Sequence, residues 1–557
     1  MKYSKNNYSD TETENPKLKN VRTNKICPTK LRLNIAACEG IEGWICETID
    51  NSDVYDDVID RVLKGFIAEI KAANISIEDQ INGLRNKMEK EISVRLSFYR
   101  KDEIFAALLA IKEYVRRHSL RQENEDWMYI EEVATVNVLM KFAGQILKFK
   151  NHSITELEFG CSNFMNAICW ARRYNLFQYN IDMSDKEERS IESLCFETVQ
   201  EADTEKYFDL YLKNGKSEKQ EDYIISNDIL RQKLTEEGKT PKKILENLNP
   251  LVKKQFGFSL ETLDFLSREL LLLEFPEKQQ YWSWIRGERP IYDKLPVLVM
   301  EKKVLEASIG KRTLESLLET FSLNRNMEKK ANELELFCFY EAHEYLIFGN
   351  FDFSQTKSIF EKFLLSGHFI DIYKKDLSQN KDIKQAQRLI SKYFSYCVAD
   401  ILFANGYVLP KETYRGKQCI RAEIDRIEVN NKNILIDENN HKLGDIDVLA
   451  LNKSKKEILL FELKYYRPAF ENKELFSRDK SLIVNKKVIQ HMKEREKAVL
   501  KYSRNIVKFI NGEVEDGYSV KSILLTVRTN FYGLQETDVE YMTWAEFIGR
   551  MKEDKGI

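Results

Sequence analysis

A chain of 557 residues is several times the ~150 residues of a typical single domain and can bury large cores. Its composition, 43% hydrophobic and 11% aromatic against 32% charged, reads as globular, and only 9 prolines and 21 glycines favour long helices with few breaks. The 87 basic and 89 acidic residues nearly cancel, which excludes a histone-like binder and requires any nucleic-acid contact to come from a local patch.

The segment 1–30 is polar and somewhat basic, without the apolar stretch of a signal peptide, and is expected to be a disordered arm. No run approaches ~20 consecutive apolar residues, so no membrane span is expected. Nine cysteines, an odd and scattered set, suit free thiols in a reducing cytosol, and the expected location is cytoplasmic.

From 31 to 385 the pattern is mostly helical. Val54 to Ala73, Asp102 to Arg117 and Ser259 to Phe275 carry apolar residues at three- and four-residue spacing. Thr240 before Pro241 marks a helix start. The polar stretch 213–221 reads as a surface loop that divides this region into two subdomains. Cys161 and Cys169 with His152 are too irregularly spaced for a zinc site and read as buried thiols. His343-Glu344 lacks the second histidine of a zinc-protease helix. The cluster from Tyr281 to Pro290, with Trp282, Trp284, Arg286 and Arg289, has the residue types that stack on unpaired bases, but core packing weighs more heavily. Arg116-Arg117 and Arg172-Arg173 read as solvated helix ends.

The last third, 386–557, carries the chemistry. Ser391 to Asn405 is helical and closes at Gly406 before the short strand Tyr407 to Pro410. Gly444 to Leu451 and Ile458 to Lys464 then read as a β-hairpin, with Asn452 to Glu457 as its turn. Centring the turn between Ser454 and Lys455 sets Asp447 opposite Glu462 and Asp445 opposite Lys464. Strand alternation puts these four on one face and Ile446, Val448, Ala450, Phe461 and Leu463 on the other. The apolar face is expected in a core, with the charged face left for chemistry. Two carboxylates about 5 Å apart repel, and oxygen donors of this kind suit a hard cation such as Mg²⁺. A neighbouring lysine stabilises phosphorane charge or orients water. Val484 to Ile510 is helical, and Ser522 to Val527 is a further strand.

Gly444-Asp445-Ile446-Asp447 followed by Glu462-Leu463-Lys464, in this element order, resembles the PD-(D/E)XK, or restriction-endonuclease-like, nuclease superfamily. The resemblance covers only this last third. It implies an α/β domain with a central mixed sheet behind a large helical region, an α+β multi-domain chain in all. It further implies a Mg²⁺-dependent endonuclease, with Mn²⁺ able to substitute. Asp447, Glu462 and the Leu463 carbonyl would hold the metal, Lys464 would support the nucleophile, and Asp445, Gln490 or Arg495 would assist. One departure stands out: family members often carry a metal-binding glutamate on the first helix, and here Ser395 takes that place. Glu423 or Asp425 could substitute only if the fold brings them close; Asp400 lies about 140° around the helix from Ser395.

Between Tyr465 and Lys508 basic residues outnumber acidic ones, a surface for a phosphate backbone, DNA more than RNA. An outward lysine face on an amphipathic helix is the equal alternative. The architecture resembles bacterial anti-phage and restriction proteins; double-strand cutting by a single-site domain would imply two copies, a homodimer, and a partner protein on the helical region is the alternative expectation. The competing expectation is a catalytically inactive nuclease fold that binds nucleic acid or acts as a scaffold.

Overall fold

The computed structural model describes residues 52–119, 126–150, 152, 163–183, 190–196, 223–274, 297–366, 373, 377, 380–436, 440–466, 477–535 and 538–553. The expected arm at 1–30, the divider at 213–221, the aromatic-arginine cluster at 281–290 and Cys161 lie outside them.

The described chain is mostly helical. Its first part runs α1 (Ser52–Ala72), α2 (Ile77–Leu96), α3 (Lys101–Ser119), α4 (Asp126–Gln145), α5 (Asn163–Met183) and α6 (Ile191–Phe196). It continues through α7 (Asp228–Glu236), α8 (Pro241–Phe256) and α9 (Leu260–Glu274). In α2 the buried residues Leu84, Met88, Ile92 and Leu96 recur every four positions, one stripe turned to the core. Thr240 and Pro241 do open α8, although the threonine side chain makes no capping hydrogen bond. The fixed φ of Pro241 and the left-handed Gly257 at the other end bound the helix.

A small antiparallel sheet interrupts the helices, an element the helical reading of 31–385 did not contain. Strands β1 (Leu298–Glu301), β2 (Tyr340–Ala342) and β3 (Tyr345–Phe348) lie in the order β1-β3-β2. Between β1 and β2 come α10 (Lys302–Ile309) and α11 (Lys311–Phe321), and α12 (Asn350–Ser366) follows β3. Arg116 is no solvated helix end. It is 6% exposed and pairs with Asp352 and Glu335, while the fully buried Lys112 lies 3.2 Å from Asp352. Glu113, one residue on from Lys112, accepts from the backbone N–H groups of Phe351 (2.9 Å) and Asp352 (2.6 Å), closing the N-terminus of α12. Arg172 and Arg173 likewise sit in mid-helix, and Arg173 pairs with Asp60 at 2.9 Å.

Helix α13 (Lys381–Ala404) joins this region to the last third and crosses the expected boundary at 386. Asn380 caps its start, accepting from Asp382 and Ile383 N–H. After it come two short ribbons, β4–β5 (Lys411–Tyr414, Lys417–Ile420) and β6–β7 (Glu428–Val429, Lys432–Asn433). The main sheet holds β8 (Val448–Asn452), β9 (Glu457–Lys464), β10 (Ser519–Thr526) and β11 (Glu540–Thr543) in the order β11-β10-β9-β8. It is mixed: β8 and β9 pair antiparallel, and β10 runs parallel to both its neighbours. The stretch expected as one helix from Val484 to Ile510 is instead a π-turn (Ser481–Asn485), α14 (Val488–Lys501) and α15 (Ser503–Asn511). Lys487, at φ 52°, breaks it in the left-handed region. Then α16 (Phe531–Leu534) and α17 (Trp544–Lys552) complete the chain, the latter with a Thr543–Glu546 capping box.

Both faces of the main sheet are covered. Val448, Ala450, Phe461 and Leu463 belong to a core that extends without a break through α13 and α17 into the helical region. Trp544 shows the junction: its ring meets Tyr223 at 5.8 Å and Phe394 at 5.7 Å. On the opposite face Leu449, Leu451, Ile458 and Leu460 pack against Ile506, Val507 and Ile510 of α15. Among the described residues no helix is long and apolar enough to cross a membrane. Cys169, expected as a buried thiol, is buried and unbonded to another cysteine.

Candidate functional site

The β8–β9 hairpin forms in the register expected from its turn: Asn452 pairs with Glu457 and Val448 with Phe461. Asn452 shapes the turn, its side-chain oxygen accepting from Ser454 Oγ (2.7 Å) and Lys455 N (3.2 Å). One step beyond the ladder's end, Asp447 and Glu462 face each other. They share the face of Leu449, Leu451, Ile458 and Leu460, so the charged face is not bare. The carboxylates begin where its apolar packing under α15 stops.

The ladder ends there because the chain bends at Asp447. Two expectations fail on that bend. Ile446 packs with Leu449 and Leu451, on the face opposite Val448, because the bend interrupts strand alternation. Asp445 does not pair with Lys464: it is exposed, and its carbonyl accepts from Arg495 while Lys464 pairs with Glu462.

Asp447 is fixed from both sides. Its Oδ2 accepts from Leu463 N–H at 2.6 Å, which brings the Leu463 backbone against the carboxylate. Its carbonyl accepts from Glu423 N–H at 2.9 Å, and Ile424 and Ile446 exchange backbone bonds of 2.8 and 2.9 Å beside it. The strand facing β8 is therefore split. Val408 bridges Leu451, the chain leaves to form the β4–β5 ribbon, and it returns at Glu423-Ile424. Glu423 re-enters in the left-handed region, φ 57°, where non-glycine residues are uncommon.

That return brings in the carboxylate that the first helix lacks. Ser395, 1% exposed on α13, donates its hydroxyl to Glu423, so Glu423 stands beside the helix position at which the resemblance implies a glutamate. Asp425 is exposed and faces Arg421, away from the site. Asp400 is occupied elsewhere, accepting from Tyr223 Oη (2.9 Å), Ser226 N (2.6 Å) and Asn227 N (3.0 Å) at the start of α7.

Glu462 is held by two cations, Lys464 two residues along β9 and Arg495 from α14. Met492, Arg495 and Val499 form the buried stripe of α14 against the sheet. Gln490, five residues back and about 140° around the helix, turns away and donates to Glu494 at 3.0 Å. Of the two expected helix residues only Arg495 reaches the site.

The electrostatics follow from this packing. Burial, and then the charges of Glu462 and Glu423, raise the Asp447 carboxyl well above the carboxylate range. Burial also raises Glu423 against the Ser395 hydrogen bond. For Glu462 burial is outweighed by Lys464 and Arg495, which hold it below its ordinary value. The charges of Glu462 and Glu423 thus both act on Asp447, where ionising all three is unfavourable without added positive charge, and oxygen donors of this kind suit Mg²⁺ or Mn²⁺. In this arrangement Glu462 is turned to its cations, and among the described residues no three His, Cys, Asp or Glu side chains are already gathered as a ligand set.

The basic surface is partly spent. Lys493 pairs with Asp538 and Arg504 with Asp516. Lys480, Lys486, Lys487, Lys497 and Lys508 are exposed and make no ion pair among the described residues, whereas Arg467 and Lys473 lie outside them. Comparison with protein-family models, with curated proteins and with solved structures finds no match to this chain.

Proposed function

We propose that the chain is a metal-dependent nuclease that hydrolyses phosphodiester bonds, with DNA as the first substrate to test. The observation that carries this reading is the hairpin register, which sets Asp447 across from Glu462 with Lys464 on the same face. A bound Mg²⁺ would supply Lewis acidity and a lowered pKa for coordinated water. Asp447 and Glu462 are the residues that would hold it, with the Leu463 carbonyl alongside. Lys464 carries a charge at the same edge, suited to a phosphorane oxygen or to orienting the attacking water. Arg495 fixes Glu462 and ties α14 to the hairpin through the Asp445 carbonyl.

One observation favours a second reading, an inactive fold that binds nucleic acid. Glu462 is engaged by two cations at once, an arrangement a purely structural ion cluster would also adopt. Plasmid, linear duplex, single-stranded DNA and RNA incubated with the full chain in Mg²⁺ or Mn²⁺ separate the two. Cleavage abolished by both Glu462→Ala and Lys464→Ala establishes the nuclease. Salt-sensitive binding without cleavage, unchanged in both variants, establishes the binding module.

A further inference from the structure

A cleft of about 400 Å³ opens beside the N-terminus of α14. Ile483, buried, and Val484, 47% exposed, give it an apolar floor. Tyr532 forms a wall, its ring braced edge-on by Phe531 at 5.4 Å. The polar rim is Gln490, Gln535 and Lys487, and among the described residues no carboxylate lines the cleft. The left-handed turn at Lys487 separates the π-turn from α14 and sets this lysine at the mouth. The side chains of Lys487, Tyr532 and Gln535 make no hydrogen bond or ion pair among the described residues, so their polar groups line an apolar slot without a partner there, while the Tyr532 ring packs against the core beneath.

The ligand that matches has a flat ring for the tyrosine and the aliphatic floor, a hydrogen-bonding edge for two carboxamides, and a negative charge for the lysine. An acidic peptide matches the charge but not the ring with a polar edge. A nucleotide matches all three. The cleft lies on the helix that carries Arg495, with Gln490 about 7.5 Å from it along the axis and about 140° around it. We infer that this cleft takes one unstacked base of a single-stranded nucleic acid, with Lys487 on an adjoining phosphate. The inference rests on the nuclease reading, which it deepens by making the preferred substrate a strand with an unpaired base.

Fluorescence anisotropy with the full chain in EDTA tests this without any cleavage. The probes are a mixed-sequence single-stranded DNA, its RNA counterpart, the same DNA with one abasic position, and a blunt duplex. Tyr532→Ala should weaken single-strand binding about tenfold, and Tyr532→Phe should leave it intact. Lys487→Gln should lower the slope of log affinity against log salt by about one. Duplex binding should not respond to either change. The DNA and RNA arms decide which sugar the strand carries. Wild-type chain that ignores single strands, variants that bind them unchanged, or equal losses on the duplex would each overturn the inference. Tyr532→Phe and Lys487→Gln, both folded by circular dichroism, guard against a merely unfolded Tyr532→Ala. Should binding behave as expected while no substrate is cut, the nuclease reading fails and the cleft stands; cutting with unaltered binding in the variants fails the cleft alone.

Discussion

Ser395 on α13 donates a hydrogen bond to Glu423, the residue at which the split strand re-enters the sheet against Asp447. Through this contact a helix that carries no carboxylate at the site positions one that arrives from a loop. If Glu423 serves the site, removing its anchor acts as the loss of an outer partner does, and Ser395→Ala should weaken Mn²⁺ binding by about 10–100-fold. Titration followed by electron paramagnetic resonance reads this directly. Affinity unchanged in Ser395→Ala and in Glu423→Gln would remove Glu423 from the site.

Arg495 is 7% exposed and spans Glu462 and the Asp445 carbonyl. Arg495→Ala leaves Glu462 with Lys464 alone and frees α14 from the hairpin. We expect a loss of roughly 1–3 kcal/mol in urea unfolding, together with a rise in the pH at which Glu462 titrates. A variant as stable as the wild type would show that the pair is not retained in solution.

The raised Asp447 carboxyl gives the folded chain a proton that the unfolded chain releases near pH 4. The native state therefore binds more protons, and stability falls as pH rises from about 4 through the raised folded value. Glu462, lowered, acts in the opposite sense and loses its contribution only in acid, whereas Glu423, raised by burial, adds to the Asp447 slope above pH 5, and the Asp447 variant separates the two. Asp447→Asn should flatten the slope of the urea midpoint between pH 5 and 9. Parallel slopes in the two proteins would refute the shift. For the same reason Mn²⁺ affinity should increase with pH across this range, since the ligand must first lose its proton.

A Cβ at Gly349 would fall on the Glu113 carboxylate that closes α12. Gly349→Ala should therefore destabilise the chain by roughly 2–4 kcal/mol through crowding and displaced hydrogen bonds. Thermal unfolding of the variant at its wild-type midpoint would show that Glu113 has room to move.

The hairpin was the legible part of the site because a two-residue period and a polar turn fix register locally. What escaped depends on distant chain. The burial of Arg116 follows from Asp352, 236 positions away, and nothing next to an arginine pair announces such a partner. The strands β1, β2 and β3 have three or four residues each, too few for alternation to show. The break at Lys487 occurs without glycine or proline, so the helical pattern runs straight through it. Glu423 was visible only as a condition, because its position depends on where the strand returns after the β4–β5 ribbon. Asp445 is placed by idealised strand geometry, which the bend at Asp447 defeats, and Gln490 by the resemblance alone, which does not give its angle on α14.

The unbroken core through α13 bears on how the proposed nuclease site could be handled. A fragment beginning at 386 would lose the first turn of α13, strip α8 and α12 from the rest of that helix, and take the Tyr223 ring away from Trp544. Such a piece should aggregate rather than cut. The hairpin is thus no detachable blade. It is built into the same framework as the helices: Tyr223 and the start of α7 bond Asp400, on the helix that also carries Ser395.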